Sequence, residues 1–191
     1  MLQRCEWVNP ENNLMREYHD NEWGVPLHDE NRLFEMLILE GAQAGLSWNT
    51  ILKKRENYRK AFENFSPARV AAFTQENVDS LLENVGIVRN RLKIESAVKN
   101  ARVFLEIQDQ YGSFDAFIWN YVDGSQIDRG FAVLDEIPAK DELSERISRD
   151  LKRRGMGFVG PTIIYAYIQA IGLINAHTID CFRYGELVQH F

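Results

Sequence analysis

Two cysteines occur in this 191-residue chain, and each has a histidine within reach, at opposite ends of the sequence. Cys5 and His19 lie near the start; His177 and Cys181 lie near the finish. Thiolate and imidazole are ligands that zinc prefers, and two of each complete a tetrahedral site. A site filled by protein on all four corners keeps no position for a catalytic water, so its expected role is structural. One ion would tie the N-terminal arm to the C-terminal segment. His177 and Cys181 are four residues apart, which sets both side chains on one face if that segment is helical. Counts and spacing leave two other readings open: free buried thiols beside ordinary histidines, or a long-range Cys5–Cys181 disulfide.

A second group is aromatic and acidic. Trp7, Tyr18, Trp23 and Trp48 bracket the histidine of the N-terminal pair and the first strongly periodic segment, while Trp119 lies apart. Between them, Glu40 stands in Met36-Leu-Ile-Leu-Glu-Gly-Ala-Gln-Ala-Gly-Leu-Ser-Trp48, among apolar and small neighbours. A carboxylate in such company is expected to be buried, which is costly unless it is paired or put to use. Pairing with a buried arginine, or capping a neighbouring helix, is the plain alternative. Aromatic faces around one carboxylate suit a planar, cationic, electron-poor base.

The third group is Lys152-Arg-Arg-Gly-Met-Gly-Phe-Val-Gly-Pro-Thr162. It reads as a helix end, a glycine-rich turn and a new helix start. Glycines let the backbone turn tightly and approach a partner closely. The amides that open the next helix could hold a phosphate oxygen, with Gly157, Val159, Gly160 and Thr162 as the candidate contacts. This is how a helix-hairpin-helix element holds DNA; an ordinary turn between two helices is the competing reading.

These groups need elements to position them, and the periodicity is helical almost throughout. Asp29 is the expected N-cap of a helix carrying Leu33, Phe34, Leu37 and Ile38. Further helices are expected over about Trp48–Phe62, from Pro67 (after Ser66) to Phe73, over about Glu76–Asn84, over Arg89–Gln108, and from Ser113 to Tyr121. The stripe of the long one is Leu92, Ala97, Ala101, Phe104 and Leu105. Leu143, Ile147 and Leu151 mark the helix before the hairpin, and Pro161 starts an apolar helix to about Ile171. The stretch from Asp123 to Ala139 has no period and reads as a loop. The expectation is one all-α domain over 1–191, with the hairpin at about 146–172.

Composition agrees with a globular chain: 45% hydrophobic and 26% charged residues. No run approaches the about 20 apolar residues of a membrane span, and the N-terminus lacks the apolar core of a secretory signal. A cytoplasmic protein without membrane contact is expected. The net charge of −6 argues against loose binding of polyanions. Basic clusters at Lys53-Lys-Arg55, at Arg89, Arg91 and Lys93, and at Lys152-Arg-Arg154 leave room for a local phosphate-binding face, or are solvated helix faces.

Taken in order, the blocks Arg4-Cys-Glu-Trp7, Tyr18-His-Asp-Asn-Glu-Trp-Gly-Val-Pro26, Leu39-Glu-Gly-Ala-Gln-Ala-Gly-Leu-Ser-Trp48, Leu52-Lys-Lys-Arg-Glu-Asn-Tyr-Arg59, Phe158-Val-Gly-Pro-Thr162 and Gln169-Ala-Ile-Gly-Leu173 leading to His177-Thr-Ile-Asp-Cys181 resemble the bacterial DNA-3-methyladenine glycosylase I family, end to end. The resemblance implies a helical body of the helix-hairpin-helix glycosylase type, acting on double-stranded alkylated DNA as a monomer, without a nucleotide cofactor. It also implies one structural Zn2+ on Cys5, His19, His177 and Cys181. Glu40 falls on the catalytic position, and Tyr18, Trp23 and Trp48, with Trp7, on the walls that stack the flipped base. Most of the wider superfamily carries an aspartate after the hairpin helix; here Asn175 falls at that place, as in the 3-methyladenine branch. A base methylated at N3 is already cationic and leaves as a neutral molecule, so little acid help is needed.

Three rival readings differ in chemistry. A zinc deaminase needs an open metal position and an H-x-E motif with P-C-x-x-C, an arrangement that none of His19, His28, His177 and His190 supplies. A non-catalytic DNA-binding hairpin accounts for Gly157–Thr162 but not for the aromatic group with Glu40. A glycosylase for a neutral damaged base would need the acid help that Asn175 does not give.

Overall fold

A computed structural model gives the fold and describes residues 2–188; His190 and the rest of the final three residues lie outside the described residues. The chain forms ten α-helices among the described residues: α1 (Asn13–Asn21), α2 (Glu30–Gln43), α3 (Trp48–Ala61), α4 (Pro67–Ala71), α5 (Gln75–Glu83), α6 (Arg91–Tyr111), α7 (Phe114–Trp119), α8 (Glu142–Arg153), α9 (Pro161–Ala170) and α10 (Phe182–Val188). Among the described residues, no helix is long and apolar enough to cross a membrane.

The centre of the fold is α2. Asp29 caps it, accepting from the Arg32 amide at 2.9 Å, and every residue from Leu33 to Ala42 is buried. A helix that is buried all round is enclosed by other helices, and α2 packs against α3, α6, α7 and α9. This enclosure takes Glu40 out of water. The long α6 starts at Asn90, whose side chain accepts from the Lys93 amide, and ends at left-handed Gly112. It buries Ile94, Ala97, Val98, Ala101, Phe104 and Ile107. Leu92, expected on that stripe, is 67% exposed. One turn into a helix, it faces away from the arc defined by Ile94, Val98 and Ala101.

Two helices were not expected from periodicity. α1 is short and polar, and its start is Asn12, whose side chain accepts from the Met15 amide. α10 follows the second Cys–His pair directly. The loop reading of Asp123–Ala139 also needs a correction. Ile127–Asp128 (β1) pairs in parallel with Ile174–Asn175 (β2), and Leu134–Glu136 forms one 3-10 turn. Two residues per strand are too few to leave a period-2 pattern in a sequence.

The segment after α1 is sewn to the end of α9. Gly24 N–H donates to the Gln169 carbonyl at 3.1 Å and Leu27 N–H to that of Ile171 at 3.0 Å. The Gln126 amide donates to the carbonyls of Gly24 and Gly172. Gly172 is required here: its φ is +73°, and a Cβ would lie 2.4 Å from the Val25 carbonyl carbon. This seam puts Trp23 beside the segment that carries His177.

Candidate base pocket and metal centre

A pocket of about 230 Å³ opens between α1, α2, α3 and α9, lined by Trp7, Met15, Tyr18, Trp23, Glu40, Gln43, Trp48, Leu134, Ile137, Ala166 and Gln169. Tyr18 comes from the inner face of α1, Glu40 from the last turn of α2, and Trp48 is the first residue of α3 after its Ser47 cap. The rings of Tyr18 and Trp48 are 5.2 Å apart at 53°, and those of Trp7 and Trp23 are 5.0 Å apart at 79°. The volume lies below the range of drug-sized ligand sites and suits something as small as a single base.

Glu40 is 4% exposed, and its carboxyl group makes no hydrogen bond to any described residue. Burial pushes its pKa up to about 8. The expected alternative, pairing with a buried arginine, is met elsewhere: buried Arg55 reaches Glu35 at 2.7 Å and Glu22 at 2.9 Å. Among the described residues, no lysine, arginine or histidine lines the pocket. Trp48 Nε1 is buried without a partner. The pocket therefore offers one acceptor-rich group, unspent among the described residues, between aromatic walls. An unsatisfied buried polar group costs about 1–3 kcal/mol, and a ligand that pairs with it recovers that.

Glu40, Gln43 and Ala166 also form the near wall of a second hollow of about 240 Å³, which runs by Gly45 and Leu46 to Thr162 and Ile163 at the start of α9. The base pocket and the hairpin thus adjoin. In the hairpin the amides of Val159, Gly160 and Thr162 donate to no acceptor among the described residues, while Gly157 differs from expectation. Its N–H donates to Asn100 Oδ1 at 2.8 Å, and its carbonyl accepts from Asn100 Nδ2 at 2.9 Å. A Cβ there would meet Ser96 Oγ at 2.5 Å. The backbone here approaches α6 closely, and the Gly157 amide is not available to a phosphate.

Most of the basic residues fold back on the protein as well. Arg55 is buried between carboxylates, and Lys93 Nζ donates to the carbonyls of Ala42 and Ala44 at 2.8 and 2.6 Å, closing the end of α2 behind Glu40. Arg154 bonds Asp150 and Gln110 and lies over the Tyr111 ring. Lys53, Arg89, Lys152 and Arg153 remain exposed, Arg153 with one contact to Asp150 at 3.7 Å.

The four metal-type residues converge. Cys5, His19, His177 and Cys181 are all buried, with their donor atoms within 4.8 Å of one another. Cys5 Sγ lies 3.5 Å from His177 Nδ1, and Cys181 Sγ lies 3.4 Å from both His177 Nδ1 and His19 Nε2. In a tetrahedron with zinc's bond lengths the donor–donor edges would be about 3.4–3.8 Å. The outer ring nitrogens are both taken: His19 Nδ1 by Asp20 at 2.8 Å, itself held by Arg4, and His177 Nε2 by the Trp23 carbonyl at 3.0 Å. Each ring thereby turns a lone pair inward, as a metal ligand must. A hydrogen bond from Cys5, with both histidines near, holds the Cys181 thiol well below the ordinary thiol range. Both cysteines are free, so the disulfide reading is set aside.

The residues from His177 to Cys181 are not helical, so the shared helix face that their spacing would allow does not arise. These residues form a turn, closed by the Cys181 amide on the Thr178 carbonyl at 2.8 Å. The turn, rather than helical pitch, brings the two side chains together. Asn175 is fully buried in β2, and its Oδ1 accepts from the His177 amide at 3.2 Å. It lies outside the pocket lining and serves the turn. Trp119 is likewise apart, stacked on His28.

Gln43, Gln169, Leu134 and Ile137 were not singled out by sequence. Gln43 sits within the same apolar stretch as Glu40, where a second polar residue was a usable signal. Leu134 and Ile137 come from the segment without periodicity and carried none.

Fold and site together define a class: a helical protein with a hairpin beside a small aromatic pocket that holds an unpaired carboxyl. The methyladenine glycosylase family model matches residues 7–184, and the chain belongs to that family. It is 46% identical over 183 residues to DNA-3-methyladenine glycosylase 1 of Escherichia coli (strain K12), covering 96% of this chain and 97% of that protein. It superposes on the 3-methyladenine DNA glycosylase I of Staphylococcus aureus with a TM-score of 0.91 at 39% identity, over 95% and 96% of the two chains. A crystal structure of a 3-methyladenine DNA glycosylase I gives a TM-score of 0.90 at 50% identity, over 94% and 98%.

Proposed function

We infer that this protein flips 3-methyladenine out of alkylated double-stranded DNA and hydrolyses its bond to the sugar, leaving an abasic site. The observation that carries the reading is the buried Glu40, without a partner among the described residues, in an aromatic pocket to which those residues bring no cationic side chain. An N3-methylated adenine in DNA bears a positive charge, and a pocket of this kind favours it over neutral bases by charge and by ring–cation attraction. Undamaged bases pair well in the duplex and bring no charge in return, so unstacking them is not repaid.

The reaction follows from the same residues. The flipped base enters between Tyr18, Trp48, Trp23 and Trp7, and Glu40 accepts a hydrogen bond from its edge. As the C1′–N9 bond breaks, its electron pair goes to the base, which departs neutral; the sugar cation is then attacked by water, whose proton passes to solvent. No general acid is called for, in keeping with Asn175 at the superfamily's aspartate position. The stabilisation that matters is the one that grows toward the transition state. The amides of Val159, Gly160 and Thr162 are the proposed contacts to the phosphate beside the flipped nucleotide, the adjoining hollow offering the path from pocket to hairpin. The protein acts as a monomer, in the cytoplasm, without a nucleotide cofactor.

We propose one Zn2+ on Cys5, His19, His177 and Cys181. When bound, it supplies a structural tie and no reaction chemistry, since protein fills four corners. Its two imidazoles carry the pocket wall: the Trp23 ring lies 4.6 Å from His177, and Trp7 lies 5.3 Å from His19.

The test is a base-release assay on a panel of alkylated, deaminated and oxidised duplexes, without magnesium or nucleotide, read by mass. Free 3-methyladenine is the expected main product. Binding to the duplex with no base released from any substrate would leave only the non-catalytic hairpin reading.

A further inference from the structure

We propose that Arg55 is a positioning residue of the base pocket, the clamp that fixes α1, α2 and α3 relative to one another; the proposal rests on the base-excision reading above. Of the residues that these helices bring to the pocket, Tyr18, Glu40 and Trp48 are the ones assigned to the base. The helices are also joined at a second level, away from the pocket, by a single side chain. Arg55, 7% exposed on α3, donates from Nε to Glu35 Oε1 of α2 at 2.7 Å and from its terminal nitrogens to Glu22 at the end of α1 at 2.9 Å.

The spacings make this a brace rather than a distant contact. Arg55 is two turns from Trp48, about 10 Å along α3, and Glu35 is five residues, about 7.5 Å, from Glu40 along α2. Glu22 is four residues beyond Tyr18, and its own amide closes α1 on the Tyr18 carbonyl at 3.0 Å. Apolar ridges fix the distance between helices but tolerate sliding along them. A planar guanidinium with carboxylates on two edges tolerates neither sliding nor rotation, because its donors have fixed directions. Burying the charges of Arg55 and Glu35 is not a favourable way to gain stability alone, and an apolar replacement of such a pair is often neutral. Their use here is geometric. Arg32 on Glu22 at 3.0 Å and Arg59 on Glu35 at 2.9 Å, with Glu56 in turn on Arg59, balance the remaining charge. Glu40 is thereby left without a cation.

Two variants separate this role from simple stabilisation. R55K keeps the charge and loses the fork; the pair R55M/E35M removes both fully buried charges and leaves Glu22 on Arg32. Each is compared with the parent for melting temperature, for affinity toward free 3-methyladenine by quenching of tryptophan fluorescence, and for kcat and KM of base release. R55K is expected to melt within a few degrees of the parent, to bind the base at least fivefold more weakly and to lose kcat by a similar factor, while binding undamaged duplex normally. The near-ultraviolet circular dichroism of the aromatic wall should change in both variants. A folded variant of either kind with parental base affinity and kcat overturns the proposal. Failure of the parent itself to release 3-methyladenine is a different result and sinks the base-excision reading instead.

Discussion

Replacing Glu40 with glutamine should change how the stability of this protein depends on pH, and the size of the effect follows from its burial. The carboxyl is pushed up to about 8 against an ordinary 4.5, with burial as the cause. Between those values the folded protein keeps a proton that the unfolded chain has lost, so stability falls as pH rises, by about 1.36 kcal/mol per unit. The contribution is complete below about pH 4.5 and gone above about pH 8. Over that span the parent should lose about 5 kcal/mol relative to E40Q, a large share of the about 5–15 kcal/mol that folds a typical domain. Urea unfolding at pH 5, 7 and 9 measures it. At a slope of about 2–3 kcal/mol per molar, the gap between the two midpoints should move by about 2 M. Function couples to the same proton. A cationic base draws Glu40 into its ionised form, so binding of alkylated DNA by the parent should release a proton and tighten with rising pH below 8. E40Q should keep most duplex affinity, lose that dependence and release base far more slowly. Parallel unfolding curves for parent and E40Q from pH 5 to pH 9 would refute the account of a proton held by burial.

Two further outcomes are expected. Asp20→Asn removes the carboxylate that orients His19 and should weaken zinc binding about 10–100-fold in chelator competition, with stability falling in parallel; unchanged affinity would mean that Asp20 serves only Arg4. Gly172→Ala sets a Cβ against the Val25–Pro26 backbone at a positive φ. Strain and overpacking together should cost about 2–5 kcal/mol, a fall of about 5–15 °C in Tm for a chain of this size, and a parental melting curve would show that the seam yields.

Much of the helical order was legible because it is local. Asp29 and Ser113 cap helices with their own side chains, Pro161 opens one, and the burial of α2 follows from its apolar run; the Asn90 cap was missed, since the long helix was expected from Arg89. Glu40 announced itself as a carboxyl with no polar neighbour in sequence. The four metal-type residues were legible as an inventory: there are no other cysteines, and few histidines.

What the tertiary structure alone decided are the matters of distance between segments. His177 and Cys181 meet through a turn held by Thr178 and Asn175, although their spacing of four was also compatible with one face of a helix. Gly157 spends its amide on Asn100, from a helix fifty-seven residues earlier, so a hairpin motif could not say which of its amides stay free. Lys93 and Arg55 read as members of basic clusters, yet one closes α2 and the other braces three helices, because a long cationic side chain finds its partner only after packing. A sequence fixes local dihedral preferences and the pattern of apolar faces; which carboxylate stays unpaired in the interior depends on which cations the other helices bring within hydrogen-bond reach.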